Sequence, residues 1–380
     1  MRQCLLLPVI LLLAACAPQP ESPSVMRVEK PGGTYGVWLT NVDSDVLFSR
    51  AGIQDAVDFM AEHGINTVYP VVWNDAHTLY PSAVCQATLG YAIDPRMKDR
   101  DPLQEIIEAA HAQGIRVIPW FEYGFAASYR KDGGIILEKH PHWAARDSSG
   151  GLLTKNGFEW LNAYHPEVQA FLMGMIKEVV MNYDVDGIQG DDRLPASPVE
   201  GGYSEYTRKL YAADHAGAEP PRNPRDPAFK RWKADHLNAF GKRVYAEVKA
   251  LKPDVLISWA PSIYPWSYDE YLQDWPEWIR GGYADEVIPQ CYRYSFERYR
   301  QTLAALSADS LGISEEQQAM IIPGILMNVG DYRIPLDYLQ QAVSENRQRG
   351  FTGEVHFFYE GLRKENDELA TYLKTLYRTP

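Results

Sequence analysis

The chain has 380 residues, a formal net charge of −13 and a hydrophobic content of 46%. This composition is ordinary for a globular protein, and the length suits one elaborated domain behind a short leader. The acidic balance argues against nucleic acid or an anionic lipid surface as a partner.

The first 16 residues are typical of a lipoprotein signal peptide. Arg2 gives a positive start, and residues 5–13 are apolar apart from Pro8, a run too short to cross a bilayer. Leu13-Ala14-Ala15-Cys16 resembles a lipobox, so we expect Cys16 to be lipidated. The alternative is an ordinary secretory signal with an incidental cysteine. Ala17, in place of Asp, indicates an outer-membrane address facing the periplasm if the cell is Gram-negative.

Residues 17–33 carry four prolines among small and polar residues, which predicts a tether without a core of its own. Residues 34–380 are then predicted to form one domain. It contains two cysteines, Cys85 in the loop after the second predicted strand and Cys291 at the end of the sixth. Because those strands lie well apart around a barrel, we expect both thiols to be free.

From residue 35 onward, apolar strand-like runs alternate with amphipathic helical stretches. Strands are predicted at residues 35–40, 66–73, 116–123, 185–189, 255–260, 286–292, 320–327 and 354–360. Helices are predicted at residues 53–63, 102–113, 166–182, 229–251, 268–280, 296–306, 336–349 and 366–377. Eight alternating pairs predict an α/β fold with parallel strands closed as a (β/α)8 TIM barrel. No Gly-x-Gly-x-x-Gly run follows the first strand, so a dinucleotide-binding sheet lacks its signature.

Two connections in this pattern are unusually long. Residues 124–162 follow the third predicted strand, and residues 193–228 follow the fourth. Both leave the carboxyl ends of strands, where barrel enzymes keep their active sites. Long loops in a compact domain are usually functional or disordered, and we expect these two to be walls of a substrate cleft.

The most informative stretch is residues 186–192, in which Asp191 and Asp192 follow a short apolar strand. Carboxylates that appear only at the carboxyl end of a buried strand lie where barrel enzymes do chemistry. The alternative is a solvated turn, because aspartate favours turns.

The other predicted strand ends carry further carboxylates, amides and large aromatic side chains. Aromatic faces stack on sugar rings, while carboxylates and amides bind hydroxyl groups. The candidate catalytic carboxylates besides the Asp pair are Glu122 and Glu360. The candidate substrate-binding residues are Trp38, Asn41, Trp73, Asn74, Trp120, Tyr123, Gln189, Trp259, Gln290, Tyr292, Asn328 and Tyr359. Each of these residues alone could be structural, and their convergence at strand ends favours a site.

Other hydrolase classes lack their signatures. A zinc hydrolase on this fold needs histidines at strand ends, whereas His140-Pro141-His142 lies in a loop and His356 lies within the last strand. No Gly-x-Ser-x-Gly elbow supports a serine hydrolase. We therefore expect no metal and no cofactor.

Five motifs occur in order and together resemble a known family: Tyr35-Gly36-Val37-Trp38-Leu39-Thr40, residues 64–70, residues 111–115, His165-Pro166-Glu167-Val168 and residues 186–192. The resemblance is to the bacterial glycosyl-hydrolase-like family ten, over roughly residue 34 to the C-terminus. Its members include a division-associated lipoprotein that cleaves peptidoglycan strands lacking stem peptides. The resemblance implies a barrel hydrolase of glycans. Members commonly carry Arg where this chain has Tyr35, and an aromatic residue where it has Gly190.

Glycoside hydrolysis requires an acid for the leaving oxygen and a group that stabilises the oxocarbenium-like centre. An adjacent Asp pair also suits substrate assistance by a 2-acetamido group, with one carboxylate orienting the acetamide and the other protonating the leaving group. Chitinase-type barrels carry a related Asp-rich run that ends in Glu, which this chain lacks. We assign Asp192 as general acid/base and Asp191 as orienter, with the order open and with Glu122 and Glu360 as reserve carboxylates.

The sequence thus predicts a lipid-anchored glycoside hydrolase that cleaves O-glycosidic bonds in a cell-envelope glycan, with peptidoglycan strands as the first candidate. Its expected partners are a polysaccharide and a membrane bound through Cys16. The alternative is a non-catalytic glycan-binding lipoprotein on the same fold, since fold alone does not give activity.

Overall fold

The computed structural model describes residues 32–378. The predicted signal peptide, Cys16 and nearly all of the predicted tether lie outside these described residues. Eight parallel strands occur in the predicted order, and we number them β1 to β8. Their bounds are Tyr35–Leu39 (β1), Thr67–Pro70 (β2), Arg116–Val117 with Trp120–Phe121 (β3), Gly187–Gly190 (β4), Leu256–Trp259 (β5), Glu286–Val287 (β6), Gly324–Leu326 (β7) and Glu354–Phe357 (β8).

The strands pair in parallel in the order β7-β8-β1-β2-β3 and β3-β4-β5-β6. The first piece of β3 pairs with β2, and its second piece pairs with β4. Two isolated parallel bridges, Val287 with Ile321 and Gln290 with Gly324, join β6 to the segment around β7. The predicted parallel α/β architecture is confirmed.

Within residues 32–378, fifteen α-helices connect and cover these strands. They are Arg50–Glu62 (α1), Ala83–Leu89 (α2), Pro102–Ala112 (α3), Gly134–Lys139 (α4), Pro166–Asn182 (α5), Glu205–Asp214 (α6), Pro227–Leu251 (α7), Trp266–Tyr271 (α8), Trp275–Arg280 (α9), Phe296–Ala304 (α10), Ala308–Leu311 (α11), Glu315–Gln318 (α12), Leu336–Gln348 (α13), Glu360–Arg363 (α14) and Glu368–Tyr377 (α15). Local capping explains some of these bounds. The Asp101 side chain accepts the backbone N–H of Gln104 at the start of α3, and Gly64 has a φ of 76° just after α1.

The structure corrects three details of the prediction. The helix predicted at residues 268–280 is two helices, because Leu272 adopts a left-handed φ of 60° and ends α8. The third strand is broken before Trp120 by Pro119, which has no N–H to donate. Cys85 lies in helix α2 rather than in a loop. As expected, Cys85 and Cys291 are both unpaired, and both are buried.

Both long connections contain secondary structure. The connection after β3 forms a three-stranded antiparallel sheet of Ala126–Tyr129, Thr154–Lys155 and Phe158–Trp160 and also carries α4. The connection after β4 carries α6. Within residues 32–378, no helix combines the length and apolar character that a membrane crossing requires.

Candidate active site

The Asp pair lies at the carboxyl end of β4, where the backbone leaves the sheet. Asp191 is 3% exposed, whereas the side chain of Asp192 is 25% exposed. A single guanidinium joins them, because the Nη2 of Arg193 lies 3.0 Å from Asp191 Oδ2 and its Nη1 lies 3.0 Å from Asp192 Oδ1. One carboxylate is therefore buried and the other is partly exposed, and both pair with the same guanidinium.

Glu122, at the end of β3, belongs to the same network. Its Oε1 lies 3.5 Å from Nη2 of Arg193, and its backbone carbonyl accepts from Nε of Arg193 at 3.0 Å. The side-chain amide of Asn74 donates to the other carboxylate oxygen of Glu122. Three carboxylates therefore surround one guanidinium at the ends of β3 and β4.

Burial changes the proton affinities within this network. It raises the pKa of the Asp191 carboxyl well above its usual range; the negative charge of Asp192 adds to this effect and Arg193 opposes it. Burial also raises the pKa of Glu122, although Arg193 and the Asn74 hydrogen bond act in the other direction. One cation faces three buried or half-buried acids, and burial favours the protonated forms of Asp191 and Glu122.

Other polar side chains hold the pair in place. Gln290, at the exit of β6, donates its side-chain amide to Asp191 Oδ1 at 2.8 Å. Gln273, between α8 and α9, donates to the backbone carbonyl of Asp191 at 3.0 Å. The Arg193 guanidinium also lies 4.6 Å from the centre of the Phe158 ring. Asp191 is therefore held by side chains from the connections that follow β4, β5 and β6.

Beneath the acids, one face of the parallel sheet is aromatic. Trp38 donates its indole N–H to Gln189 at 2.7 Å, and its ring lies 6.3 Å from that of Trp120 and 6.5 Å from that of Tyr292. Burial and the charges of Asp191 and Asp192 raise the pKa of Tyr292. The indole N–H of Trp120 has no hydrogen-bond partner among the described residues. Trp38, Trp120, Gln189 and Tyr292 thus form the floor below the carboxylates.

Four of the predicted substrate-binding residues make their contacts outside the Asp191 network. Trp73 donates to the carbonyl of Gly124 and packs on Phe171 of α5. Trp259 is fully buried against Trp278 of α9. These two side chains belong to the layer between the sheet and the helices.

The other two of the four lie beyond β7 and β8. The Tyr359 hydroxyl accepts from Arg363, and its ring packs on Phe59 of α1. Asn328 accepts from the ammonium group of Lys364. Adjacent side chains alternate between the two faces of a strand, so a residue at a strand end can face the helices as easily as the face that carries Gln189.

Glu360 lies apart from the Asp191 network. Its Oε1 accepts from the Ser44 hydroxyl at 2.7 Å, and it lines an open cavity of about 870 Å³ beside the ends of β8 and β1. Asn41, 8% exposed, lines the same cavity. The structure therefore groups Glu122 with the Asp pair and assigns Glu360 and Asn41 to a second region of the same face.

The loops after β3, β4 and β5 are joined by ion pairs. Lys155 lies 2.9 Å from Glu200 and 2.6 Å from Glu270, and Arg225 lies 3.0 Å and 2.9 Å from the same two carboxylates.

Tyr123, another predicted residue, lies under Arg193, with 5.7 Å between the centre of its ring and the guanidinium. Arg193 is the main site residue that we did not predict, although a cation directly after two aspartates is a visible signal for it.

Within residues 32–378, one group of side chains could hold a metal ion. The ligand atoms of His142, His165 and Glu167 lie within 4.8 Å of one another. They already bind each other: His142 Nε2 is 2.8 Å from Glu167 Oε2, and His165 Nδ1 accepts the backbone N–H of Glu167 at the start of α5. The cluster shares no hydrogen bond or ion pair with the Asp191 network.

This parallel α/β fold is a glycoside-hydrolase-like fold, and carboxylates at the carboxyl ends of strands are the groups with which such enzymes cleave glycosidic bonds. The PgaB (BpsB) glycoside hydrolase domain from Bordetella bronchiseptica has the same fold, with a TM-score of 0.67 at 14% identity over 90% of this chain and 97% of that domain.

The chain belongs to the Glycosyl hydrolase-like 10 family, whose model matches residues 34–343. Glycosyl hydrolase DigH from Escherichia coli (strain K12) is 26% identical over 343 residues, covering 77% of this chain and 75% of that protein. Glycosyl hydrolase YngK from Bacillus subtilis (strain 168) is 26% identical over 292 residues, covering 67% of this chain and 53% of that protein. The family predicted from the sequence is confirmed.

Proposed function

We propose that this protein is an active glycoside hydrolase, and that its substrate is a cell-envelope glycan of 2-acetamido sugars, with peptidoglycan strands as the first candidate. The family and the fold support a hydrolase of glycans. The observation that carries the proposal is the pair of carboxylates on one guanidinium, one buried and one partly open to solvent. We further infer that the strands close as a (β/α)8 barrel through the two bridges beyond β6.

In this proposal Asp192 is the general acid and base. Its side chain is 25% exposed, so it can reach a glycosidic oxygen in the cleft, whereas Asp191 is nearly enclosed. Asp192 then delivers its proton to the leaving oxygen, beside the buried Asp191, whose pKa is raised by burial and by the charge of Asp192. After cleavage, the same carboxylate takes a proton from the attacking water.

Asp191 orients rather than reacts in this scheme. Hydrogen bonds from Gln290 and Arg193 fix its carboxyl group, which suits a group that positions the substrate acetamide. The acetamide oxygen would then stabilise the oxocarbenium-like centre in place of a protein nucleophile. A lectin would not need a buried acid with a raised pKa at this place.

Glu122 supports a conventional alternative with two protein carboxylates. It is bound to the same Arg193 as the Asp pair, and burial raises its pKa. Glu360, bound to Ser44 beside a different cavity, has no contact with that network and fits substrate binding better than chemistry. Of the two reserve carboxylates, Glu122 is therefore the one we retain.

The test is digestion of defined glycans by protein that lacks its first 33 residues, followed by mass spectrometry of the products. The substrates are amidase-stripped peptidoglycan strands, intact sacculi and neutral β-glucans. We expect short oligosaccharides from the stripped strands and a loss of about 10²–10⁴-fold in rate in Asp192→Asn.

Each of the other possible outcomes would contradict a different part of the proposal. Cleavage of neutral β-glucans alone would contradict the acetamide mechanism. Full activity in both Asp191→Asn and Asp192→Asn would transfer the chemistry to Glu122, which Glu122→Gln then tests. Glycan binding without any cleavage would favour the non-catalytic alternative.

We also propose that Cys16 carries the lipid that anchors the domain to a membrane facing the cell wall. The lipobox-like Leu13-Ala14-Ala15-Cys16 and the Pro-rich residues behind it support this address. Several acyl chains make such anchoring stable, whereas one chain alone is marginal. Cys16→Ser should move the protein from the membrane fraction to the soluble fraction; unchanged fractionation and a mass without lipid would contradict the proposal.

A further inference from the structure

The backbone that leaves β6 connects the acids to the surface. Gln290 binds Asp191, and Tyr292 packs beneath the carboxylates, 4.9 Å from the ring of Phe357. Tyr294, two residues further on, is 65% exposed. Within five residues, the chain therefore runs from the buried carboxylate to an aromatic ring in solvent.

Tyr294 is part of a larger apolar surface, in which Tyr294 and Val329 are exposed and Tyr332 is half-buried. Its ring meets that of Tyr332 edge to face, with centres 4.8 Å apart. Tyr332 lies on a hairpin after β7, where it pairs with Val329, which is 43% exposed. We call Tyr294, Tyr332 and Val329 the tyrosine rim. It combines side chains from the connections that follow two neighbouring strands, at the end of the sheet that carries the acids.

The tyrosine rim is supported from below. The hydroxyl of Tyr338 on α13 donates to the carbonyl of Arg293 at 3.0 Å, which holds the backbone next to Tyr294. The hairpin is held by Arg333, whose guanidinium pairs with Glu365 and donates to the carbonyl of Lys364 at 2.8 Å. Rings held in this way lose little conformational entropy when a ligand binds.

We propose that the tyrosine rim is a stacking platform for a pyranose ring of the glycan, at least one sugar unit away from the bond that is cleaved. This inference rests on the proposed function. The apolar face of a sugar ring suits an exposed aromatic ring, while the remaining hydroxyl groups stay in water. Tyr294 lies in the same short segment as Gln290 and Tyr292, which lie beside the catalytic carboxylates. One glycan chain can therefore occupy both the platform and the catalytic site.

The test compares glycan binding by Asp192→Asn and by Asp192→Asn with Tyr294→Ala, using the full-length protein in detergent and calorimetric titration with stripped strands. One lost aromatic contact should weaken binding by about 3- to 10-fold. Tyr294→Phe should bind normally, since it keeps the ring. Met181→Ala is the matched control, because Met181 is 56% exposed at the far end of α5.

Cleavage by protein with an intact Asp192 separates this inference from the proposed function. Tyr294→Ala should raise KM on long strands and leave KM on the shortest cleavable oligosaccharide unchanged. Equal binding by the Tyr294→Ala protein and its parent, or no binding by either, would overturn the platform. Binding that depends on Tyr294 without any cleavage would support the platform and count against the hydrolase.

Discussion

Strand β4 carries aspartates at both ends, and their surroundings differ. At the amino end, Asp186 Oδ2 accepts from the backbone N–H of Val117 at 2.7 Å and lies 2.9 Å from Nε2 of His111. At the carboxyl end, Asp191 and Asp192 share Arg193 with Glu122. The first carboxylate joins β4 to β3 and α3, whereas the other three concentrate negative charge around one cation.

Strand β8 also carries a carboxylate at its amino end that is bound by neighbouring elements. Glu354 is fully buried there and pairs with Arg347, while Asn346 and Tyr377 donate to its carboxylate oxygens. A carboxylate whose oxygens are all satisfied by neighbouring elements stabilises the fold and has little capacity left for a ligand. In this molecule, the carboxylates at the amino ends of β4 and β8 stabilise the fold, and we propose that the carboxylates at the carboxyl ends of β3 and β4 provide the chemistry.

The packing at the carboxyl end of β4 can be tested with Gly190→Ala. A Cβ at this position would lie 2.5 Å from Cζ3 of Trp259 and 2.6 Å from the carbonyl oxygen of Leu194. Both atoms are held by buried structure, so we expect the free energy of unfolding to fall by about 1–3 kcal/mol. Chemical denaturation of the wild type and the variant measures this change.

Gly174→Ala is the matched control for that experiment. Gly174 lies within α5, and its nearest neighbours, the methyl groups of Val84, are at an ordinary 3.4 Å. Alanine is the better helix former, so this variant should be as stable as the wild type or more so. If Gly190→Ala were equally well tolerated, the carboxyl end of β4 would be less tightly packed than the structure indicates.

The same contact explains why a residue without a side chain stands at position 190. The ring of Trp259, the partner of Gly190 on β5, fills the space beside it. Trp259 and Trp73 were predicted to bind substrate because they end strands. Their true direction depends on which face of the strand they occupy, and the sequence alone did not determine this at strand ends.

The features that could be predicted from the sequence are those that local chemistry determines. Apolar runs predicted all eight strands, and the Asp101-Pro102 start of α3 followed from capping rules. Gln290 was predicted to bind substrate, and in the structure its side-chain amide donates to Asp191. The separation of Glu360 from Glu122 could not be predicted, because it depends on the positions of β8 and β3 around the sheet.

Substitution of His111, which binds Asp186 at the amino end of β4, should change the free energy of unfolding less than Gly190→Ala does. This change should also depend on pH. The hydrogen bond to Asp186 raises the pKa of His111, and Asp184 nearby adds to it, while burial acts in the other direction. A raised folded-state pKa stabilises the fold fully below the unfolded-state pKa, and this stability is lost as pH rises through the folded-state value. His111 should therefore stabilise the protein more at pH 5.5 than at pH 8.5.

His111→Gln tests this, because glutamine can still donate to Asp186 but carries no charge. The difference in free energy of unfolding between wild type and variant should be about 1 kcal/mol or less at low pH and smaller at high pH. Hydrolytic activity should not change. A difference that is independent of pH would mean that the charge on His111 contributes nothing.

The most direct test of the account compares two matched substitutions at the two ends of β4, Asp186→Ala and Asp192→Ala, in both kcat/KM and free energy of unfolding. Asp192→Ala should lose about 10²–10⁴-fold in kcat/KM on stripped glycan strands and remain folded. Asp186→Ala should lose about 1–3 kcal/mol of stability, since it leaves a backbone N–H unpaired, and keep its kcat. Normal kcat/KM in Asp192→Ala, or loss of activity in a folded Asp186→Ala protein, would contradict the division between the two ends.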